Sequence, residues 1–328
     1  MSTYAADLEA IRDAARRIAP FAHRTPLASC ATLDRFAGRR LFFKCEHLQK
    51  VGAFKFRGAC NAVRKLSDEA AARGVVTHSS GNHAQALALA ARQRGIPAHI
   101  VMPRNAPPVK RQAVEEYGGR VVLCEPTLNA RQQAAAQVQA ETGATLIHPY
   151  DNPDIIAGQG TVALELLEQA PDVDTIVVPV GGGGLLSGIC IAARALKPAV
   201  RIIAAEPAGA DDAARSLAAG KIIPQTGPRT VADGLLTSLG ELTWPIIRDH
   251  VERIITVTDE QIVRAMRLTW ERAKLLIEPS AAVAVAVVLS DEFRSLSGIE
   301  RVGVVLSGGN VNLDKLPWAD LPPARASV

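Results

Sequence analysis

The fold is indicated first by one stretch of sequence, Thr175-Ile176-Val177-Val178-Pro179-Val180-Gly181-Gly182-Gly183-Gly184-Leu185. An apolar run typical of a buried strand passes into four glycines and then into residues 185–196, whose small and aliphatic side chains suit a packed helix. Glycines at such a junction leave backbone N–H groups unshielded by any Cβ, and the helix adds the positive end of its dipole. The stretch predicts a site for a phosphate or another small oxyanion, because a tight turn alone needs only one or two glycines.

This phosphate site lacks the sequence signatures of nucleotide binding. The chain has no P-loop motif, and the glycine run does not follow the spacing of the dinucleotide fingerprint. Glu206 lies about 20 residues beyond the run, where a dinucleotide site places an acidic residue. The dinucleotide alternative is therefore weakened but stays open.

The composition is that of a soluble globular enzyme. Of the 328 residues 48% are hydrophobic and 21% are charged, enough for one large or two medium domains. A net charge of +4 without a run of Lys or Arg argues against a nucleic-acid partner. The five cysteines are scattered and form no Cys-x-x-Cys pair, which favours reduced thiols and a cytoplasmic protein. The N-terminus does not read as a signal peptide, and the longest apolar run, residues 281–289, is too short for a membrane span.

Strand-like runs alternate with helix-length stretches along the whole chain. This alternation predicts an α/β fold whose sheets are mainly parallel, open, twisted and covered by helices. Nine strands are many for one twisted sheet, so we expect two sheets, the smaller one in an inserted domain. The predicted strands are residues 41–44, 74–78, 98–102, 120–124, 145–148, 175–180, 201–205, 253–257 and 302–306.

Lys55 is the first candidate for chemistry. It lies between Phe54 and Phe56 in a glycine-flanked segment, residues 52–59, directly after a predicted strand. An apolar setting lowers the pKa of a lysine and frees its amine as a nucleophile, whereas a lone lysine at a helix start more often extends to solvent. A buried lysine together with a phosphate site is what pyridoxal 5′-phosphate requires.

Two polar motifs also follow predicted strands. Residues 79–86, Ser-Ser-Gly-Asn-His-Ala-Gln-Ala, place hydroxyl and backbone donors at a helix start, which suits a substrate carboxylate. Residues 307–310, Ser-Gly-Gly-Asn, place a hydroxyl where it can face a pyridine nitrogen. Taken alone, the first motif is better explained as a helix N-cap without a ligand, and the second is equally well explained as a turn.

Together these motifs resemble the fold-type II pyridoxal-phosphate enzymes, and most closely the serine/threonine dehydratase and serine racemase branch that includes the 3-hydroxyaspartate dehydratases. The resemblance runs from about His23 to Asn310 with the motifs in family order. It implies a tryptophan synthase β-like fold, with a large cofactor-binding domain (residues 1–67 and 153–328), a small mobile domain (residues 68–152) and a homodimer. The segments that carry it are Lys44-Cys45-Glu46-His47-Leu48-Gln49 and residues 52–59, 79–85, 181–184 and 307–310.

The resemblance also implies a role for each matching residue. Lys55 is the Schiff-base lysine, and Ser80 is a second acid/base across the cofactor from it. Phe54 packs by the cofactor ring. The other residues implied are Asn82 for the ring hydroxyl, Gly181, Gly182, Gly183 and Gly184 for the phosphate, Ser307 for the pyridine nitrogen, and Ser79 and His83 for the substrate carboxylate.

A divalent cation is predicted from the segment after the strand at 201–205. Glu206 and Asp212 are hard oxygen ligands suited to Mg²⁺, Mn²⁺ or Ca²⁺. The residues alone leave a second explanation equally open, namely a helix start whose dipole favours aspartates. The resemblance favours the cation, and it implies the carbonyl of Ala210 as a third ligand.

Arg131 and Ser238 are candidates for recognition of the substrate's far end. Arg131 matches an arginine that serine racemase-like enzymes carry near that end, and a planar guanidinium there suits the second carboxylate of 3-hydroxyaspartate. The plain alternative is a solvated helix arginine. Tyr150 departs from the small polar residue of nucleotide-stimulated animal racemases, which argues against nucleotide activation.

We therefore predict an ammonia-lyase that removes water and ammonia from L-serine, L-threonine or 3-hydroxyaspartate to give a 2-oxo acid. The alternative is a serine or aspartate racemase that uses Lys55 and Ser80 on opposite faces of the substrate. A β-replacement synthase is disfavoured, because residues 49–52 lack the Asn-Pro-containing sequence of those enzymes. A catalytically silent cofactor-binding protein is disfavoured by the presence of Lys55, Asn82 and Ser307 together.

Overall fold

The computed structural model describes residues 4–318, which form two sheets covered by helices. The strands are β1 (Leu27–Ala28), β2 (Arg40–Lys44), β3 (Val75–His78), β4 (Ala98–Pro103), β5 (Arg120–Cys124), β6 (Thr145–Leu146), β7 (Thr175–Pro179), β8 (Arg201–Pro207), β9 (Arg253–Val257) and β10 (Arg301–Val305). The helices are α1 (Leu8–Ile18), α2 (Ala31–Ala37), α3 (Lys55–Lys65), α4 (Asp68–Arg73), α5 (Asn82–Arg94), α6 (Pro108–Glu116), α7 (Leu128–Thr142), α8 (Pro153–Gln169), α9 (Gly184–Leu196), α10 (Asp212–Ala219), α11 (Trp244–His250), α12 (Asp259–Leu268), α13 (Pro279–Leu289) and α14 (Asp291–Arg294).

The larger sheet has the order β1-β2-β10-β7-β8-β9, and only the pairing of β1 with β2 is antiparallel. The smaller sheet has the order β5-β4-β3-β6 and is parallel throughout. Its four strands come from one continuous stretch between β2 and β7, so the small sheet is an insertion. The predicted α/β fold with two mainly parallel sheets is confirmed.

Each of the nine predicted strands corresponds to a strand of the structure. Within the described residues the sequence missed only β1, because two residues carry no readable pattern. The strands of the small sheet lie inside the predicted limits 68–152. Those limits and the mobility of the small domain stay predictions.

Helices cover both faces of the larger sheet. Val177 and Val178 of β7 point into different clusters, as alternating strand residues must, and all five residues of β7 are buried. Helices α1, α8, α9 and α11 pack on the face of Val178, whereas α2, α12 and α13 pack on the face of Val177. Among residues 4–318 no helix is both long enough and apolar enough to cross a bilayer.

This topology decides where the polar motifs lie. In a parallel sheet the carboxyl ends of the strands share one edge, and ligands bind in the crevice beyond that edge. The tetraglycine run follows β7, residues 307–310 follow β10, and residues 79–82 follow β3. The predicted site segments therefore all leave the carboxyl ends of parallel strands.

Candidate active site

Lys55 begins helix α3, and its side chain is half-buried, with the amine held by a backbone carbonyl. Its Nζ donates a hydrogen bond to the carbonyl oxygen of Pro149 at 2.8 Å and lies 5.1 Å from the centre of the Phe54 ring. Burial lowers the pKa of Lys55 to about 8, and no carboxylate in the described chain pairs with it. The amine does not extend to solvent, so the plain alternative for this lysine is wrong. It has the environment of a nucleophile.

The start of α3 is fixed by a buried ionic cluster that the sequence motifs did not identify as a unit. The guanidinium of Arg57 bonds Glu46 and Glu165, each at 2.7 Å, and the Lys44 amine bonds the same Glu165 at 2.6 Å. Breaking one member of such a cluster leaves an uncompensated buried charge, which is strongly destabilising. The cluster therefore fixes the helix turn that carries Lys55.

The tetraglycine run has the geometry of an anion cradle. Gly183 adopts φ 90°, a left-handed conformation that favours glycine, and a Cβ on Gly182 would lie 2.3 Å from the ring of Tyr150. The first turn of α9 is closed by the Ser187 N–H, which donates to the carbonyl of Gly183 at 2.8 Å. Within residues 4–318 the N–H groups of the four glycines have no hydrogen-bond partner, so they are free to bind a phosphate.

Helix α5 also begins without a cap. Gly81 occupies the N-cap position, and no side chain bonds the first N–H groups of the helix, so the N-cap explanation of residues 79–82 is wrong. The Ser79 hydroxyl accepts a long 3.4 Å hydrogen bond from the Gly81 N–H. The Ser80 hydroxyl has no partner in the described part of the chain. The open helix end suits a carboxylate.

His83 is buried, and its ring is held by a backbone carbonyl. Its Nε2 donates to the carbonyl of Ile147 at 3.2 Å, which leaves a buried Nδ1 without a partner among the described residues. Burial holds the pKa of His83 well below its usual range, so the ring is neutral. Its contact with substrate stays a prediction.

Asn82 and Ser307 are hydrogen-bonded to residues that are distant in sequence. The amide of Asn82 donates through Nδ2 to Glu278 at 2.9 Å and accepts at Oδ1 from Nδ2 of Asn310 at 2.9 Å. The Ser307 carbonyl accepts the Phe54 N–H at 3.0 Å, so the end of β10 is bonded to the residue before Lys55. Sequence analysis missed Glu278, because nothing in its neighbourhood marks a carboxyl group for burial.

The cation segment brings two buried carboxylates close together without a cationic partner. Burial raises the pKa of Glu206 to about 8 and that of Asp212 to about 6. The charge of Asp212 raises the pKa of Glu206 further, and the charge of Asp211 raises both values. Glu206 accepts the N–H groups of Ala213 and Ala214, both at 2.8 Å, at the start of α10. The helix-start explanation thus accounts for the position of Glu206.

It does not account for the whole segment. Oδ1 of Asp212 is buried without a partner in residues 4–318, and the Ala210 carbonyl accepts no hydrogen bond there. Burying such groups unpaired is costly, and a divalent cation would satisfy both. The residues present therefore fit a cation.

Arg131 and Ser238 lie on different elements. Arg131 is in the first turn of α7, where its Nε lies 3.4 Å from the carbonyl of Thr127 and no carboxylate of the described chain pairs with it. Burial lowers the pKa of His78 and the charge of Arg131 lowers it further, so the guanidinium lies near the carboxyl end of β3. The Ser238 hydroxyl accepts the Gln225 N–H at 2.9 Å, and its contact with substrate stays a prediction.

These groups fit pyridoxal 5′-phosphate. The structure supplies an amine with a pKa near 8, four open N–H groups at a helix N-terminus, and the hydroxyl of the buried residue Ser307. An aldehyde, a phosphate and a ring nitrogen are the three features of that cofactor that such groups bind.

Comparison with known proteins gives the same assignment. The family model described as pyridoxal-phosphate dependent enzyme matches residues 18–308. The serine racemase of Oryza sativa subsp. indica is 53% identical over 97% of this chain and 94% of its own length. The beta-hydroxyaspartate dehydratase of Paracoccus denitrificans (strain Pd 1222) is 52% identical over 92% of this chain and 95% of its own. The solved structure of maize serine racemase has a TM-score of 0.94 and 54% identity over 95% of both chains.

The family match and the relatives each extend over more than four-fifths of the sequence, and the two-sheet architecture is that of a solved relative. This chain belongs to the family of pyridoxal-phosphate dependent enzymes.

Proposed function

We propose that this enzyme removes the α-proton of serine and of related β-hydroxy amino acids, and that it forms two kinds of product. One is the opposite enantiomer, and the other is a 2-oxo acid with ammonia. The observation that carries the proposal is the buried Lys55 amine, which has a pKa of about 8 and no acidic partner in the described residues. Such an amine is available in its neutral form to accept a proton near physiological pH.

The residues divide the work as follows. When bound, pyridoxal 5′-phosphate joins the substrate amine through its aldehyde and makes the α-proton acidic. Gly181 to Gly184 hold the phosphate, and Phe54 packs beside the ring. Ser79 and the open N-terminus of α5 hold the substrate carboxylate, so that the α-proton faces Nζ of Lys55. That neutral amine then takes the proton.

Racemisation needs a second group on the opposite face, and we assign that role to Ser80. Its hydroxyl forms no hydrogen bond among residues 4–318, whereas the side chains of Ser79, Asn82 and His83 each form one. It gives its proton to Cα from the face that Lys55 does not reach. The rice and maize relatives, both named serine racemase, support placing racemisation of serine ahead of elimination.

Elimination uses the same proton abstraction with a different sequel. The Cα–H bond breaks first, with its proton taken by Lys55. The bond from Cβ to oxygen then breaks, and the hydroxyl leaves as water with the proton that Lys55 took from Cα, which returns the amine to its neutral form. The resulting enamine hydrolyses to ammonia and a 2-oxo acid. The Paracoccus relative, named a dehydratase, supports this second activity, and the unpaired guanidinium of Arg131 favours a dicarboxylic substrate such as 3-hydroxyaspartate.

We also propose a divalent cation, Mg²⁺, Mn²⁺ or Ca²⁺, held by the carboxylates of Glu206 and Asp212 and the carbonyl of Ala210. The unpartnered Oδ1 of Asp212 supports it. The ion neutralises two buried carboxylates at the start of α10. It therefore stabilises the folded site and takes no part in proton transfer. We further propose a homodimer and closure of the small domain over the substrate, both on the family resemblance. We propose a cytoplasmic location because the five cysteines are free thiols.

The decisive experiment is a substrate panel. The enzyme is incubated with L-serine, L-threonine and a 3-hydroxyaspartate isomer, with and without EDTA, while ammonia, 2-oxo acid and both enantiomers are measured. We expect D-serine and pyruvate from L-serine. Cysteine formed from serine and sulfide would instead indicate a β-replacement synthase. A spectral change on adding serine without any product would indicate a sensor.

A further inference from the structure

Glu278 is a buried carboxylate beside the proposed cofactor site, and it has no cationic partner in residues 4–318. It is 4% exposed. Its hydrogen bonds come from Nδ2 of Asn82, at 2.9 Å to Oε1 and 3.2 Å to Oε2, and from the Asn310 N–H, at 3.0 Å to Oε2. Both oxygens therefore accept N–H groups, as a carboxylate does.

The position of Glu278 in the fold confirms that its side chain is not a helix cap. It is the N-cap residue of α13, yet its side chain bonds none of that helix's N–H groups. Its own N–H donates instead to the carbonyl of Gly308 at 3.0 Å. A Cβ at position 308 would lie 2.6 Å from Oε1 of Glu278, so the carboxylate is packed directly against the Ser307–Asn310 segment.

Asn310 holds the other end of the Asn82 amide. Its Nδ2 donates to Oδ1 of Asn82 at 2.9 Å and to the carbonyl of Val51 at 2.7 Å. Val51 is a β-branched residue at φ 57°, a strained conformation that persists only where other contacts impose it. Asn310 thus links a strained turn four positions before Lys55 to the amide of Asn82.

The two contacts leave the Asn82 amide one orientation. With Nδ2 facing a carboxylate and Oδ1 facing an amide donor, a flipped side chain would set oxygen against oxygen and N–H against N–H. Both oxygens of Glu278 lie on one side of Nδ2, so a single amide proton serves them. The second proton of Nδ2 is left for another acceptor.

We propose that Glu278 and Asn310 are positioning residues, which clamp the Asn82 amide so that its second N–H is directed at the ring oxygen of the bound cofactor. This inference rests on the function proposed above for Asn82. The competing explanation is that Glu278 and Asn82 only brace α13 against α5. The two explanations differ in what the cofactor senses when the clamp is removed.

A double-mutant cycle on cofactor binding separates them. Glu278→Gln keeps the shape but replaces one acceptor with a donor, so one N–H of Asn82 or Asn310 must face an NH₂ group. We expect the dissociation constant for pyridoxal 5′-phosphate, measured by titration of the apoenzyme, to rise about tenfold, the worth of one hydrogen bond. The absorption maximum of the bound cofactor should also move. In an Asn82→Ala background, Glu278→Gln should change neither quantity.

The outcomes distinguish this inference from the proposed function. Cofactor binding and spectrum unchanged by Asn82→Ala alone would remove the role of Asn82, and the clamp with it. If Glu278→Gln weakens cofactor binding by the same factor in the Asn82→Ala background as in the parent enzyme, the two residues act independently. That result would overturn the clamp but keep the role proposed for Asn82. Loss of thermal stability by Glu278→Gln with unaltered affinity and spectrum would establish the brace.

Two further variants serve as an alternative and as a control in this experiment. If Glu278→Gln does not fold, Asn310→Ala opens the clamp from its other side and must give the same dependence on Asn82. The matched control is Glu271→Gln, in the π-helical turn Thr269–Ala273, where the carboxylate is on the surface and pairs with Arg267. Glu271→Gln should leave the dissociation constant and the spectrum of the bound cofactor unchanged, and a change equal to that of Glu278→Gln would overturn the inference.

Discussion

The amine of Lys55 is hydrogen-bonded to the carbonyl oxygen of Pro149 at 2.8 Å, and this bond joins the first turn of α3 to the chain that leaves the small sheet. A carbonyl accepts from a neutral amine as well as from an ammonium ion, whereas a carboxylate partner would hold the proton on the nitrogen. The contact therefore fixes the position of Nζ without raising its pKa, and burial brings that pKa to about 8.

The first prediction follows from that value. Only the neutral amine attacks an aldehyde, so the rate at which apoenzyme forms its coloured adduct with pyridoxal 5′-phosphate should rise about tenfold per pH unit below pH 8 and level off above it. Stopped-flow absorbance measures this rate. Lys55→Ala should form no adduct absorption band and be inactive, while Lys65→Ala, at the exposed end of the same helix, should match the parent enzyme. A rate that keeps rising up to pH 10 would contradict the environment assigned to Lys55.

The second prediction concerns the two faces of the substrate. Ser80→Ala should reduce racemisation of serine by about 10²- to 10⁴-fold, the usual range for losing a positioned acid/base, because no proton then reaches the second face. Pyruvate formation should change only severalfold, since Lys55 still takes the α-proton. Both products are measured in one assay, so their ratio is an internal control. Ser67→Ala, which removes the N-cap of α4 just before the predicted small domain begins, should leave the ratio unaltered. A parallel fall of both products would exclude Ser80 as the second acid/base.

The third prediction tests the far end of the substrate. Arg131→Ala should lower kcat/KM for 3-hydroxyaspartate about 100-fold, because it removes charge-assisted hydrogen bonds to the second carboxylate, while serine should lose less than about threefold. Arg131→Lys should recover only part of the loss, since an ammonium ion does not bind a carboxylate bidentately. Gln132→Ala, on the same helix, is the control. Equal losses on both substrates would return Arg131 to a structural role.

The sheet architecture was predictable because it depends on short-range patterns. Apolar runs of strand length alternate with helical stretches, and the carboxyl ends of parallel strands share one edge of their sheet. Gly181 to Gly184 and Ser307 could therefore be placed at the edge of one sheet, and Ser79 at the edge of the other. The lowered pKa of Lys55 was predictable for a similar reason, since Phe54, Phe56 and the flanking glycines indicate burial directly.

The contacts that orient the site were not predictable, because they are long-range. Asn82 and Glu278 lie 196 positions apart, and no local signal marks Glu278 as a partner of an amide on another helix. The positive φ of Val51 runs against its own residue type and is understandable only with the hydrogen bond from Asn310 in place. The same holds for Arg57, whose two glutamate partners come from different elements.

The fourth prediction is a pH-dependent cation effect. The pKa values of Glu206, about 8, and Asp212, about 6, lie above those of an unfolded chain. Without a cation the folded state therefore binds more protons than the unfolded state between about pH 4 and pH 8, and its stability falls as the pH rises through that window. A divalent cation must displace the Glu206 proton. The apparent affinity for Mn²⁺ should rise about tenfold per unit from pH 6 to pH 8, and the gain in Tm of EDTA-treated enzyme should be larger at pH 8.

A pair of neighbouring aspartates gives the control for this effect. Asp212→Asn removes the charge and the unpartnered Oδ1, so it should abolish the Mn²⁺-dependent rise in Tm. Asp211→Asn should keep that rise, because the Asp211 carboxylate is on the surface and already pairs with Arg215 at 2.8 Å. Differential scanning fluorimetry at pH 6 and pH 8 measures both variants. Since Glu206 caps the start of α10 whether or not an ion is present, a full Mn²⁺ response in Asp212→Asn, or one that does not change with pH, would leave the buried carboxylates with a capping role alone.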